Sequence, residues 1–385
     1  MDQGTIKQYF SLLRSAICGT NPSNNSFSQD QLIEMISVSK KHDILHLLEI
    51  GLKQECSDSA DVVISDDSIF NAVYRYEQTR YELDVLCEAM ESAKIPFIPL
   101  KGTVMSRYYP EEWMRTSCDI DILIREESVE RAASLLIDKY GYVFHKKGTH
   151  DISLFTPNQK HVELHFSLVE DGVANKSSEV LNTVWETAYL RENCRYCYVM
   201  TDEMFYFYHI AHMAKHIENG GCGIRQFIDL WLLDNVKDAN FSKRDELLEK
   251  GDLLDFAQVS RRLNRIWFDG AEKDGISEQL EQFILNGGVY GTKENRIIIQ
   301  QQKNGGRFKY AFFKIFIPYN ELRLHYPIVE KYRLLIPVMQ IRRWCKLMFS
   351  GHFQRAADEL KCNCAISDDK AENIKILLRN IGLNQ

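Results

Sequence analysis

The chain has 385 residues, of which 45% are hydrophobic and 26% are charged. This length predicts two or three domains, and the composition excludes a disordered or fibrous protein. Lysine and arginine together number 47 against 54 aspartates and glutamates, which gives a formal net charge of −7. The chain as a whole is therefore no polycation, and its charge does not predict broad binding to nucleic acid.

The start of the chain and its cysteines indicate a cytoplasmic protein with no membrane span. Residues 1–8 lack the basic segment and apolar run of a secretory signal, and charges interrupt the longest apolar stretches before they reach spanning length. The ten cysteines are accordingly expected to be reduced thiols. Cys194-x-x-Cys197 and Cys362-x-Cys364 leave structural zinc open as an alternative.

Residues 1–92 predict a helical region without any sign of chemistry. Ser28 and Gln31 have the spacing of a capping box at the start of a helix. The polar segment 56–67 predicts a loop, and apolar residues at helical spacing then predict a long helix over 69–93.

The pattern changes near residue 95, where a short, proline-punctuated apolar segment predicts a strand at a sheet edge. In the following segment, 119–124, alternation places Asp119 and Asp121 on one face of a strand and three isoleucines on the other. Two like charges side by side are destabilising unless a positive group lies between them, so the pair predicts a divalent cation site. A surface strand with two solvated acids is the alternative.

A second alternating segment, 161–166, offers a third acid. His161, Glu163 and His165 share one face of this predicted strand, while the apolar residues between them face the core. Three carboxylates from two neighbouring strands can hold two magnesium ions. From spacing alone, a solvated Glu163 is an equally good interpretation.

The turn Lys101-Gly102-Thr103 precedes a short predicted helix. Backbone N–H groups and the threonine hydroxyl at such a turn can contact a phosphate, with Lys101 nearby as a point charge. Many turns contain Gly-Thr, so the prediction gains weight only from the acidic strand that follows. Further strands are predicted at 142–145 and 152–155, with a helix at 127–139, which together describe an α+β fold built on a small mixed sheet.

Beyond residue 202 the chain is predicted to be helical, including 243–269 and 276–286. His209, His212 and His216 share one helical face and leave zinc binding open. Lys215, His216 and Arg225 near a glycine-rich break could instead reach a nucleotide. The alternative makes His209 a core histidine and pairs Arg225 with Asp229 along one helix.

Lysine and arginine outnumber acidic residues ten to two between residues 303 and 346, and aromatic residues are interspersed among them. This mixture permits RNA contact through phosphates and stacking. The favoured interpretation is a helical face with buried aromatics and solvated cations.

These motifs resemble the bacterial uncharacterised nucleotidyltransferase family of the polymerase-beta-like superfamily over about residues 95–345; the first 90 residues are similar only in being helical. The residues that carry the resemblance are Leu100-Lys101-Gly102, Tyr109-Pro110, Arg115, Asp119-Ile120-Asp121-Ile122-Leu123, Val162-Glu163-Leu164-His165, His212, Lys215, His216, Arg225, Asp229, Asn286-Gly287-Gly288, Pro318-Tyr319 and Arg343.

The resemblance implies a nucleotidyltransferase sheet in which Asp119, Asp121 and Glu163 are the catalytic acids and bind two Mg²⁺ ions. It implies that a nucleoside triphosphate, with ATP expected, is held by Lys101, Gly102, Thr103, Arg115, Lys215, His216 and Arg225. Gly102-Thr103 stands where the superfamily has Gly-Ser, and the interval to Asp119 is longer than usual. Both differences from the superfamily pattern lie among the residues expected to contact the phosphates of the nucleotide.

The implied domains are an N-terminal helical region (1–92), a nucleotidyltransferase α/β core (93–200), a helical domain closing the nucleotide cleft (201–300) and a basic, aromatic helical region (301–385). The predicted activity is magnesium-dependent transfer of a nucleoside monophosphate to a hydroxyl acceptor with release of pyrophosphate. A small-molecule acceptor is favoured over RNA or protein. A non-catalytic nucleotide-binding or partner-binding protein of the same fold is the alternative.

Overall fold

The computed structural model describes residues 1–20, 27–55, 67–169, 175–349 and 353–383. It is an α+β structure in which helices flank a five-stranded mixed sheet, and helical regions stand at both ends of the chain. The predicted fold class is confirmed. The loop predicted at 56–67 lies outside the described residues, except for Asp67 at its end.

Four helices precede the sheet. Helix α2 begins with the predicted capping box, since the Ser28 hydroxyl accepts from the Gln31 N–H and the Gln31 side chain accepts from the Ser28 N–H. Helix α4 closely follows the predicted 69–93 boundaries. The bounds are α1 Gln3–Cys18, α2 Gln29–Lys41, α3 Leu45–Glu55 and α4 Asp67–Ser92.

The main sheet has the strand order β1-β2-β5-β4-β3. Strand β1 lies at one edge, as the prolines predict, and pairs antiparallel with β2; β2 and β5 are parallel, while β4 runs antiparallel to β5 and β3 to β4. The bounds are β1 Phe97–Pro99, β2 Asp119–Ile124, β3 Val143–Lys147, β4 Asp151–Phe155 and β5 His161–His165. A separate two-stranded sheet consists of β6 Tyr189–Leu190 and β7 Tyr198–Val199.

Helices occupy most of the remaining chain. The segment 243–269 is two helices, because Gly251 and Asp252 form a break in which Asp252 adopts a positive φ of 62°. The bounds are α5 Gly102–Met105, α6 Glu126–Tyr140, α7 Lys176–Leu181, α8 Val184–Thr187, α9 Asp202–Glu218, α10 Ile224–Asp234, α11 Phe241–Lys250, α12 Leu254–Asp269, α13 Gly275–Gly287, α14 Lys293–Lys303, α15 Arg307–Ile315, α16 Tyr319–His325, α17 Ile328–Lys331, α18 Ile336–Phe349, α19 Phe353–Ala365 and α20 Asp368–Asn380. Short 3₁₀ turns cover Ser106–Tyr108, Glu112–Met114 and Arg333–Leu335.

Two hydrophobic cores lie on the two sides of the sheet. Ile120, Ile122 and Ile124 of β2 are fully buried in the core formed with α4 and α6. The larger core joins α1–α3 to α9–α14. The acidic face of β2 is turned toward this helical side, so the sheet and α9 together enclose the polar residues of the candidate site.

The carboxyl-terminal region contributes a small third core, formed by Ile317, Leu322, Val329 and Met339. Helix α15 contacts α14 and α19, and α18 contacts α19. In the described ranges, no helix has both the length and the apolar character needed to cross a bilayer.

Candidate active site

The register of the sheet brings two of the predicted acids together. Asp121 on β2 lies directly opposite Glu163 on the parallel strand β5, and Asp119 lies opposite His161. Because side chains two apart on a strand share a face, Asp119, Asp121, Glu163 and His165 all point toward the helical side. Alternation predicted which side chains of each strand share a face, whereas the pairing of Asp121 with Glu163 depends on the register between the strands.

Lys101 and His165 hold the central carboxylate. Lys101 Nζ donates to Asp121 Oδ1 at 2.6 Å, and His165 Nε2 donates to the same oxygen at 2.8 Å. Glu163 Oε2 lies 3.3 Å from His165 Nε2 and 3.9 Å from Lys101 Nζ. Asp121 is only 2% exposed, so the Lys101 ammonium and the His165 N–H compensate a carboxylate that water does not reach.

Electrostatics in this cluster favour ionised groups. Burial raises the pKa of Asp121, but the Lys101 charge and the His165 hydrogen bond outweigh it and hold this pKa well below its ordinary value. The hydrogen bond from His165 likewise lowers the pKa of Glu163. Burial acts to lower the pKa of His165, yet its hydrogen bonds to the two acids raise it overall.

The chemistry of this donor set suits a metal ion. One ligand atom from each of Asp121, Glu163 and His165 lies within 4.8 Å of the others. Carboxylate oxygens bind magnesium, and an imidazole nitrogen adds affinity for transition metals such as Mn²⁺. His165 is the member of this set that the acid-based prediction omitted, although alternation had already placed it beside Glu163.

Asp119 lies outside that three-ligand group. It is half-buried at the start of β2, where it accepts a hydrogen bond from Ser117 Oγ at 3.3 Å. Burial and the neighbouring Asp121 charge raise the pKa of Asp119. Asp119 therefore differs from Asp121 in having no lysine or histidine partner among the described residues.

The predicted phosphate turn is only partly oriented toward the cavity. The Thr103 hydroxyl donates to the Leu100 carbonyl at 2.8 Å and is engaged within the turn. Gly102 packs so closely on Ser117 that an added Cβ would lie 2.9 Å from Ser117 Oγ. Ser117, which the sequence motif did not include, lines the cavity beside Gly102.

Arg115 is anchored from helix α10. Its Nε donates to both carboxylate oxygens of the fully buried Asp229, at 2.8 and 3.0 Å, and Tyr109 Oη donates to the same carboxylate at 2.7 Å. Burial would raise the pKa of Asp229, but Arg115 lowers it overall. The alternative pairing of Asp229 with Arg225 is not what the structure shows.

Arg225 is held instead by the N-terminal helices. Its Nη1 donates to Asp43 Oδ2 at 2.9 Å and to the Thr116 carbonyl at 3.1 Å. Arg75 on α4 binds Asp43 from the other side at 2.9 and 3.1 Å. The turn between α2 and α3 therefore holds Arg225, which lines the site, in position, and local sequence patterns could not reveal this contact.

Two adjoining cavities meet at Lys101, Tyr208, His212 and Lys215. The first, of about 240 Å³, is lined by Lys101, Gly102, Arg115, Ser117, Asp119, Tyr208, His212, Lys215, His216, Arg225 and Tyr290, among others. The second, of about 290 Å³, is lined by Lys101, His150, Glu163, His165, Asn175, Tyr208, Leu181, His212, Lys215 and Lys303, among others. Every predicted site residue except Thr103 and the buried Asp121 therefore lines one or both cavities.

The histidines of α9 do not form a metal site in the described part of the chain. His209 Nε2 hydrogen-bonds to the Gln226 carbonyl at 3.0 Å, while the Nε2 atoms of His212 and His216 lie 3.2 Å apart. Burial lowers the pKa of His216 to about 4. The nine cysteines in the described ranges are free thiols, and none belongs to a group of three metal-ligating residues there.

The chain matches a known protein family. The profile of a family described as uncharacterised nucleotidyltransferases matches residues 30–269. The match begins at residue 30, within the N-terminal helices, whereas the resemblance described above begins near residue 95. The match ends before the motifs at 286–343. Neither a curated protein nor a solved structure matches the chain significantly. Because the family match covers more than half of the chain, the protein belongs to this family of uncharacterised nucleotidyltransferases.

Proposed function

We propose that this protein is a magnesium-dependent nucleotidyltransferase that moves a nucleoside monophosphate from a nucleoside triphosphate, with ATP the expected donor, to a hydroxyl acceptor. Pyrophosphate is the second product. The observation that carries the proposal is the pairing of Asp121 with Glu163 across two parallel strands, in a cluster with Lys101 and His165 at the junction of two cavities.

The nucleotide belongs in the cavity beside Gly102. Arg115, Arg225, Lys215 and Lys101 line it, so their N–H groups can donate to the oxygens of a triphosphate. Asp119 lies in the same wall, close to where a phosphate-bound magnesium ion would stand. Tyr290 and His216, whose ring centroids are 6.0 Å apart, offer flat surfaces for a base.

The acceptor belongs in the cavity beside Glu163. Its volume of about 290 Å³ suits a small molecule rather than a folded macromolecule. Leu168, Leu181 and Leu253 give it an apolar part, while Glu163 and His165 stand at the end nearest Lys101. A hydroxyl placed at that end would face the α-phosphorus of a nucleotide in the neighbouring cavity.

The chain's own groups have defined tasks in this reaction. The acceptor oxygen forms a bond to the α-phosphorus, the bond from that phosphorus to the β-bridging oxygen breaks, and pyrophosphate leaves. Glu163 lies where it can orient the hydroxyl and accept its proton. His165, whose Nε2 contacts both acids, would join the ligands of a bound metal ion after releasing its Nε2 proton. Asp119, Asp121 and Glu163 would hold magnesium, which supplies charge neutralisation of the triphosphate and activation of the hydroxyl.

A panel of the four nucleoside triphosphates with Mg²⁺ and candidate hydroxyl compounds tests the proposal. Pyrophosphate release together with a mass increase of one nucleoside monophosphate on an acceptor is the expected result. Glu163→Gln should abolish both signals, whereas Glu130→Gln on the exposed face of α6 should leave them unchanged. Nucleotide binding without turnover in any combination would favour the non-catalytic alternative.

A further inference from the structure

Helix α15 exposes a row of phenylalanines. Phe308, Phe312 and Phe316 follow one another at intervals of four residues and are 90%, 56% and 40% exposed. Helical spacing places Phe308 and Phe312 on one side of α15, and Phe316 directly follows the helix, with its ring centroid 5.1 Å from that of Phe312. The Phe316 ring packs on Trp344 of α18 at 5.0 Å between centroids, so this row continues onto a second helix.

Helix α18 carries a similar apolar row. Val338, Ile341 and Met348 recur at helical spacing and are 51%, 54% and 56% exposed. Arg343 and Trp344 tie α18 to α15 by donating to the Ile315 carbonyl at 3.1 and 2.8 Å. We call the six exposed side chains Phe308, Phe312, Phe316, Val338, Ile341 and Met348 the apolar face.

Cations without acidic partners lie on the same two helices as the apolar face. Within the described residues, Lys309, Arg342 and Lys346 form no ion pair, whereas Lys303 and Lys314 are paired with Glu218 and Glu359. The segment 303–346 has eight more cations than acids in a protein whose net charge is −7. The positive charge is therefore concentrated where the apolar side chains are exposed.

The combination points to one kind of partner. Exposed apolar patches on soluble domains mark interaction sites, and amphipathic helices that combine phenylalanine and aliphatic residues with lysine and arginine bind at lipid interfaces. Basic residues add attraction to anionic lipids. Stacking on RNA bases would use the phenylalanines but gives no role to Val338, Ile341 and Met348.

We propose that the apolar face docks on the surface of an anionic phospholipid bilayer, with α15 and α18 lying in the interface. The two helices have 9 and 14 residues, so they lie on the membrane rather than cross it. The proposal is independent of the catalytic one, because none of the three acids of the site belongs to these helices.

Flotation of the full-length protein with vesicles tests the proposal. Vesicles containing phosphatidylglycerol should carry the protein, pure phosphatidylcholine vesicles should carry much less, and added salt should weaken the association. Phe308→Ser with Phe312→Ser should weaken binding at least about tenfold. Arg342→Gln with Lys346→Gln should weaken it roughly fivefold per charge.

The matched control is Phe70→Ser with Tyr74→Ser, two exposed aromatics spaced four residues apart on α4. This pair should leave vesicle binding unchanged, and urea unfolding should show that all variants are folded. Failure of the wild type to float with anionic vesicles would overturn the proposal. So would self-association, or binding to a single-stranded RNA, that the Phe308 and Phe312 substitutions abolish while vesicle binding persists.

Discussion

Lys101 Nζ lies 2.6 Å from Asp121 Oδ1 and 3.9 Å from Glu163 Oε2, so Lys101→Met tests how the charges of these two acids are compensated. The substitution keeps the length of the side chain and removes the ammonium group that donates to Asp121 at 2.6 Å. Asp121 is 2% exposed and Lys101 is 23% exposed. A buried carboxylate would then depend on His165 alone for compensation.

The size of the effect follows from this burial. Breaking a buried ion pair by removing one partner costs about 3–5 kcal/mol. Because Lys101 is partly exposed and the His165 hydrogen bond at 2.8 Å remains, we expect the free energy of unfolding to fall by about 2–3 kcal/mol. This loss of stability in Lys101→Met should be measured in full when a chelator is present. Mg²⁺ should partly restore the stability of the variant, since the ion neutralises the same two acids.

Urea unfolding with chelator and with Mg²⁺ measures both effects. Lys215→Met is the control, because Lys215 is exposed on the wall of both cavities and its loss should cost less than about 1 kcal/mol. If Lys101→Met is as stable as the wild type in chelator, Lys101 does not compensate the Asp121 carboxylate as described. Equal stabilisation of the wild type and the variant by Mg²⁺ would also contradict this role of Lys101.

Three further predictions concern the surroundings of the two acids. Bound Mn²⁺ should show hyperfine coupling to an imidazole nitrogen in electron spin echo spectra of the wild type. The coupling should persist in the control His161→Gln and disappear in His165→Gln. An unchanged signal in His165→Gln would show that His165 is not a ligand. Asp229→Asn should lower the free energy of unfolding by about 3–5 kcal/mol, because Arg115 remains buried without its counter-charge; a loss below about 1 kcal/mol would contradict this. Burial lowers the pKa of His42 and His46 from 6.5 to about 4. As the pH falls between these two values, the unfolded chain binds protons at these histidines that the folded chain does not bind. Stability should therefore decrease toward low pH by up to about 3 kcal/mol per histidine, and a flat urea-unfolding profile would refute the assignment.

Local patterns were sufficient to predict the part of the site that depends on strand geometry. Alternation in 119–124 and 161–166 specifies which side chains share a face, and a hydrophobic core on the opposite face specifies which side is polar. The register that sets Asp121 opposite Glu163 is a tertiary property. It depends on where β5 pairs with β2, which no local period determines.

Contacts between distant segments account for what the sequence did not show. Asp43 reaches Arg225 and Asp229 reaches Arg115 only after the N-terminal helices and α10 have packed on the sheet. The break at Gly251-Asp252 is a different kind of omission. Gly-Asp is a turn signal, but the helical pattern continues on both sides of it, so a single helix over 243–269 was predicted.

Asp121 is the central residue of the proposed metal-dependent nucleotidyl transfer site. The most direct test is the rate of pyrophosphate release from a nucleoside triphosphate and Mg²⁺ by the wild type, Asp121→Asn and the control Asp138→Asn on the exposed side of α6. Asp121→Asn should lose at least about a hundredfold in rate, Asp138→Asn should match the wild type, and chelation of Mg²⁺ should abolish release in all three. Wild-type pyrophosphate release by folded Asp121→Asn would contradict this assignment.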